Sequence, residues 1–194
     1  MPRASRFLLA LAVLVALALA GCTALQQLAA LRTVTFAFSH VSDVRLVGIP
    51  IERATDFGSL GVADLARLAA AVASRQVPLE LVAHVGASNP AENSVAASLV
   101  GLDWKLFIEE RQALAGGLGS PVSIEPGRTA DVPLTVRLDL VQLGGGGARD
   151  LFDLAVAIAG QGTIKKDLRL ELAPTINTPL GPMRYPVPVV VRRP

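Results

Sequence analysis

The chain has 194 residues, 52% of them hydrophobic and only 4% aromatic, with 18 basic side chains, 16 acidic ones and one cysteine. Two of the basic residues, Arg3 and Arg6, stand at the very start; the rest of the chain is neutral, so a pI near 9.1 marks no nucleic-acid-binding surface. A lone cysteine excludes a disulfide within the chain, which leaves burial to supply stability.

Met1 to Arg6 is a short basic head, and Phe7 to Ala20 carries no charged or polar side chain. A membrane-spanning helix needs about 20 apolar residues. This run is shorter and ends at small residues, the pattern of a secretory signal. It closes on Leu19-Ala20-Gly21-Cys22, which resembles the bacterial lipobox. The resemblance implies cleavage before Cys22 and a membrane attachment through acyl chains on its thiol. One chain anchors only marginally, whereas two or more hold stably. Thr23 stands where an aspartate would signal inner-membrane retention, so the resemblance points to the outer membrane, facing the periplasm. The expected organisation is a signal peptide over 1–21, an acylated tether over 22–32 and one domain over 33–194.

Thr23 to Arg32 has some helical character and no turn signal. From Thr33 the period becomes two, with Val34, Phe36 and Phe38 alternating with Thr35, Ala37 and Ser39, as in a half-buried strand. Val44 to Ile51 continues as a second extended piece. Ser59 to Gln76 reads as an amphipathic helix, with Val62, Leu65, Leu68, Ala69 and Val72 on one face and Asp64, Arg67, Ala71 and Arg75 on the other. Val77-Pro78 ends it, because the residue before proline is driven out of the α region. Its polar face is not strongly basic, so packing against its own sheet is favoured over lying on a membrane.

Leu79, Leu81, Ala83 and Val85 alternate with Glu80 and His84 in the next strand, which runs into a turn at Asn89-Pro90. Ser98 to Glu110 reads as a core strand with Trp104 inside. Ala115 to Pro121 breaks the pattern, Val122 to Ile124 is a short strand and Glu125 to Arg128 a turn. The clearest alternation is Val132 to Leu140, where Pro133 requires an edge strand or a strand start. Gly144 to Gly147 leads to a helix over Ala148 to Ala159, with Asp150 and Asp153 at its start and Gly160 as its stop. A strand over Gly162 to Leu172, a loop over Pro174 to Pro182 and a last strand over Pro186 to Val191 close the chain. About seven strands joined mostly by short turns predict a mainly β fold, an antiparallel immunoglobulin- or fibronectin-III-like sandwich with two inserted helices.

The run Leu79 to Val85, then Asn89-Pro90, then Leu102-Asp103-Trp104-Lys105-Leu106-Phe107-Ile108, then Leu114-Ala115-Gly116-Gly117 resembles the late-embryogenesis-abundant type 2 family, also described as the water-stress and hypersensitive-response domain. The resemblance spans about residues 33 to 192 and looks like that of bacterial lipoprotein members. It departs from the commoner Asn-Pro-Asn and adds the helix at Ser59 to Gln76. It implies a role in stress or desiccation tolerance and no catalytic residue. Asn89-Pro90 has its own physical reading, a structural turn in which Asn bonds local backbone and Pro presets φ.

Catalytic, cofactor and metal signals are weak. A nucleophile needs a base beside it, and only His40 and His84 are available, neither in a recognisable motif. Two histidines so far apart, without a free thiol, give no metal-ligand spacing. Gly144 to Gly147 lacks the Lys-Ser/Thr ending of a phosphate loop. Glu109 and Glu110, on one strand, would point to opposite faces. The sequence therefore predicts a non-enzymatic envelope protein with a binding or structural role; the alternative is a carrier or accessory subunit holding an apolar ligand or lipid between sheet and helices.

Overall fold

The computed structural model describes residues 33–52, 56–144, 146–160, 167–178 and 181–193. The expected signal peptide, tether and Cys22 lie outside them.

The strands are β1 (Thr35–Leu46), β2 (Ile49–Pro50), β3 (Pro78–Asn89), β4 (Ala97–Ile108), β5 (Arg111–Gly117), β6 (Val122–Ile124), β7 (Arg128–Asp139), β8 (Leu168–Thr178), β9 (Gly181–Arg184) and β10 (Val189–Arg192). The helices are α1 (Val62–Ala73) and α2 (Ala148–Ala159). One sheet has the order β2-β1-β3-β7 and the other β10-β8-β4-β5, with β6 beside β4 and β9 beside β8; every pairing is antiparallel. The predicted mainly β sandwich with two helices is the observed fold. β6 is the short strand expected at Val122 to Ile124, and the strands not expected are β5 and β9.

Strict alternation builds the core. Every odd-numbered residue of β3 from Leu79 to Asn89 is buried, and the even ones face outward. Val132, Leu134, Val136 and Leu138 of β7, and Leu102, Trp104, Leu106 and Ile108 of β4, fill the space between the sheets. β7 is the edge that Pro133 requires. Among the described residues these side chains form one continuous cluster with Leu151, Phe152, Ala155 and Ile158 of α2.

α2 begins where Asp150 Oδ2 accepts the Gly147 amide at 2.9 Å, and ends at Gly160 with φ 79°. Arg193 donates to the carbonyls of Ile158 and Ala157 at 2.6 and 3.1 Å, so a cation closes the negative end of the helix. Burial lowers the Arg193 guanidinium from its ordinary value, and Asp167 opposes the shift. α1 is shorter than expected and turned about its axis: Leu68 and Ala71 are buried, whereas Val62 and Ala69 are exposed. It packs chiefly against α2 rather than directly on a sheet, which moves its buried arc toward Ala71.

Three further expectations are corrected. Glu109 and Glu110 do not extend β4; at φ 49° and 64° they form a tight two-residue hairpin turn, a conformation usually left to Asn and Gly. Glu110 compensates by pairing with Arg169 at 3.1 Å and Arg192 at 3.0 Å. Ala115 to Gly117 does not break the pattern but completes β5. Pro174 to Pro182 is not a loop, because β8 runs on to Thr178 and pairs with β9.

The glycine in β5 has a packing cause. A Cβ at Gly116 would lie 2.4 Å from Cζ2 and 2.7 Å from Cε2 of Trp104, and the indole nitrogen donates to the Gly117 carbonyl at 3.4 Å. The indole occupies the space a side chain would need. Gly116→Ala is therefore expected to lower stability by about 1–3 kcal/mol through overpacking, read by urea denaturation with the fluorescence of the one tryptophan. An unchanged midpoint and spectrum would mean that the ring does not rest on Gly116.

Candidate functional site

The outward face of the first sheet carries a cluster of polar side chains that spans three strands. It begins with the parity of β1. Phe36 and Phe38 turn toward the core, as do Val44 and Leu46, so simple alternation would turn His40 and Ser42 inward as well. Register shifts between Phe38 and His40, and again between Ser42 and Arg45, reverse that. At the second shift Asp43 takes φ 53°. A bulge inserts one residue against its partner strand and re-aims the side chains that follow. The two bulges frame His40 to Ser42 and bring both polar side chains to the face that already holds His84.

Pairing then sets the contacts. His84 of β3 lies opposite His40 on one side and Pro133 on the other. Its Nδ1 is 2.7 Å from Asp131 Oδ2, and its Nε2 is 2.9 Å from Ser42 Oγ. A carboxylate only accepts, so Nδ1 carries the proton, and in the neutral ring Nε2 is left as an acceptor that competes with Asp43 Oδ2 for the single Ser42 hydroxyl proton. The His40 ring lies on the His84 ring with centroids 4.2 Å apart and planes 6° from parallel, and its own Nδ1 is 3.0 Å from Ser39 Oγ. The His84 side chain is 16% exposed and that of Asp131 54%. Ser42 Oγ has a second acceptor, Asp43 Oδ2, at 3.2 Å.

Sequence reasoning weighed His84 alone, as a histidine on the polar side of a strand. Its neighbours were not visible because Ser42, His84 and Asp131 come from separate strands and two bulges have no sequence signature here. The structure assembles a serine, a histidine and an aspartate in hydrogen-bonded order. Among the described residues, no group of three His, Cys, Asp or Glu side chains is placed to hold a metal ion.

Among the described residues, Asn89 is the one buried polar residue, 2% exposed. Its amide nitrogen donates to the carbonyls of Val95 at 3.2 Å and Ile124 at 2.8 Å, and its amide oxygen accepts from Asn93. Its backbone carbonyl accepts the Gly127 amide at 2.8 Å. These bonds tie the end of β3 to the loop after Pro90 and to β6, rather than to the backbone two residues on. Asn93 also joins Thr33, which fixes the point where the N-terminal segment enters the sandwich. Leu19, Ala20, Gly21 and Cys22 lie outside the described residues.

No family model matches the chain, and no curated protein matches it. Solved structures similar to it include the crystal structure of a protein from Archaeoglobus fulgidus, 17% identical, covering 80% of this chain and 92% of that one, with a TM-score of 0.38. A solution structure of a protein from Arabidopsis thaliana is 18% identical over 80% of this chain and 78% of that one, TM-score 0.40. A third, a protein provisionally described as late embryogenesis abundant, is 14% identical over 95% and 85%, TM-score 0.37.

Replacing Asn89 by Ala strands one buried carbonyl, that of Ile124, and one partly buried, that of Val95. The expected loss is about 1–3 kcal/mol, measured by chemical denaturation. A change below a few tenths would show that water substitutes for the amide.

Proposed function

We propose that the protein is a lipid-anchored β-sandwich of the bacterial cell envelope, attached through acyl chains on Cys22 and acting in a binding or structural role related to stress or desiccation tolerance. The observation that carries this reading is the sequence Leu19-Ala20-Gly21-Cys22 at the end of an apolar run too short to span a bilayer. Attachment at the outer membrane, with the domain in the periplasm, follows from Thr23 beside Cys22. The stress role rests on the resemblance of residues 33 to 192 to late-embryogenesis-abundant type 2 proteins.

Two spaces bear on the carrier reading, and the one beside α1, about 690 Å³ next to Val47 and Pro78, is open and bordered by the polar Arg67, Ser74, Gln76 and Asp139, which suits an apolar ligand poorly. The gap bounded by Phe38, Val41, Leu81, Leu106, Ile158 and Leu170 is wholly apolar and has room for about 10 Å³, near the volume one water-sized sphere needs. An acyl chain does not fit there. Cys22→Ser is expected to leave the precursor uncleaved or the protein soluble, whereas the unsubstituted chain fractionates with membranes and shows lipid on its N-terminal peptide by mass spectrometry. A Cys22→Ser protein that is cleaved and still sediments with membranes would overturn the anchor. Extraction of the purified domain should yield no stoichiometric lipid apart from the covalent one; recovery of such a lipid would restore the carrier.

A further inference from the structure

We infer that Ser42 is an activated nucleophile, with His84 as its general base and Asp131 as the residue that positions the base. This goes beyond the binding or structural role proposed above. A serine hydroxyl is a weak nucleophile until an adjacent base can take its proton, and the base must present the correct nitrogen. Here that condition is met on both sides of the ring: Asp131 holds Nδ1–H at 2.7 Å, and the free Nε2 lies 2.9 Å from Ser42 Oγ. The stacked His40 ring covers one face of the imidazole and holds its plane. Ser42 is only half-buried, so an electrophile can reach it. The order Ser42, His84, Asp131 along the chain is immaterial, because such an array is recognised by geometry and roles.

The substrate class follows from what surrounds the serine. Asp43 Oδ2 stands 3.2 Å from Ser42 Oγ, and a carboxylate so close disfavours a developing oxyanion. The reaction is therefore confined to small esters with good leaving groups, such as aryl esters, approaching across an open sheet face. Ser42 Oγ bonds to the carbonyl carbon as its proton passes to His84 Nε2. The tetrahedral adduct collapses, the C–O bond to the phenoxide breaks, and the phenoxide leaves with the proton from His84 Nε2, which returns the imidazole to its neutral form. Water, deprotonated by the same nitrogen, then releases the carboxylic acid and restores Ser42.

The test treats the full-length chain in detergent with an alkyl fluorophosphonate, which forms a P–O bond at an activated serine as fluoride departs, and locates the adduct by peptide mass spectrometry. The expected result is one adduct per chain on Ser42, abolished in Ser42→Ala and slowed about 10²-fold in His84→Gln, the scale of general-base assistance. Asp131→Asn should slow labelling while leaving the thermal midpoint unchanged, and Asp131→Glu should recover part of the rate; a merely structural aspartate would move the midpoint and not the rate. Asp43→Gly should speed labelling, since the hydroxyl then has one acceptor instead of two and glycine keeps the φ of 53° that the bulge requires. Hydrolysis of p-nitrophenyl acetate should follow the same order among the variants. Absence of an adduct on Ser42, or an adduct whose rate is unchanged in a His84→Gln protein with native tryptophan fluorescence, overturns the inference. Neither outcome bears on the membrane fractionation of the Cys22→Ser protein, so the two readings fail separately.

Discussion

The register of β3 is the constraint on which the rest of the first sheet depends. β3 pairs along nearly its whole length with β7 on one side and with β1 on the other. Its odd residues are all buried, so a slip of one position would bring Glu80, Val82 and His84 into the core and put five apolar side chains in water. Fully burying a Leu or Val side chain contributes about 1.5–3 kcal/mol, so losing Leu79, Leu81 and Val85 together would cost an amount comparable to the whole stability of a typical domain, about 5–15 kcal/mol. The outward position of His84 is thus enforced from the other side of the sheet. Asp131 and Ser42 inherit their positions from the same register, one through β7 and the other through β1.

The opposite sheet obeys a comparable constraint at Trp104. A large ring at the centre of β4 needs room on the neighbouring strand, and Gly116 supplies it. The indole nitrogen then reaches the Gly117 carbonyl, so the one polar atom of the ring keeps a partner. At the pole where the chain enters, Asn89 does for loops what the tryptophan does for strands: one buried side chain holds the end of β3, the segment after Pro90 and β6 in a fixed relation. Both features sit in the stretch that suggested the family resemblance. Their physical content is packing and hydrogen-bond satisfaction, with no ligand required.

Much of the fold was legible because alternation is a strong signal wherever one face is dry. The odd residues of β3, the run Val132 to Leu138 and the bounds of α2 all followed from period and caps. What escaped was local geometry without a residue signature. Glu109-Glu110 makes a tight turn with neither Gly nor Asn, compensated by arginines that come from β8 and β10 and so cannot be seen nearby in sequence. The continuation of β8 beyond Pro174 contradicts the usual meaning of proline; at that position the strand is bordered by β4 and the Pro174 carbonyl accepts the Tyr185 amide at 2.8 Å. The two bulges of β1 were invisible for the same reason, and with them the polar cluster. Alternation extended from Phe36 and Phe38 assigns His40 and Ser42 to the core, where their polar atoms would be costly to bury. That conflict between period and polarity was the one available clue.

The place of the cluster on the molecule separates it from the proposed anchor. Thr35 lies opposite Ser88 near the pole where the chain enters, while Ser42 lies opposite Val82, seven residues further along β1. At about 3.3 Å per residue the two are roughly 23 Å apart. The eleven-residue step from Cys22 to Thr33 has a contour of about 36–40 Å at full extension, which is longer than that distance. If acyl chains on Cys22 hold the domain as proposed, that reach exceeds the distance from the pole to Ser42. The proposed anchor would then limit how far Ser42 stands from the bilayer without fixing which way the outward face of the sheet points.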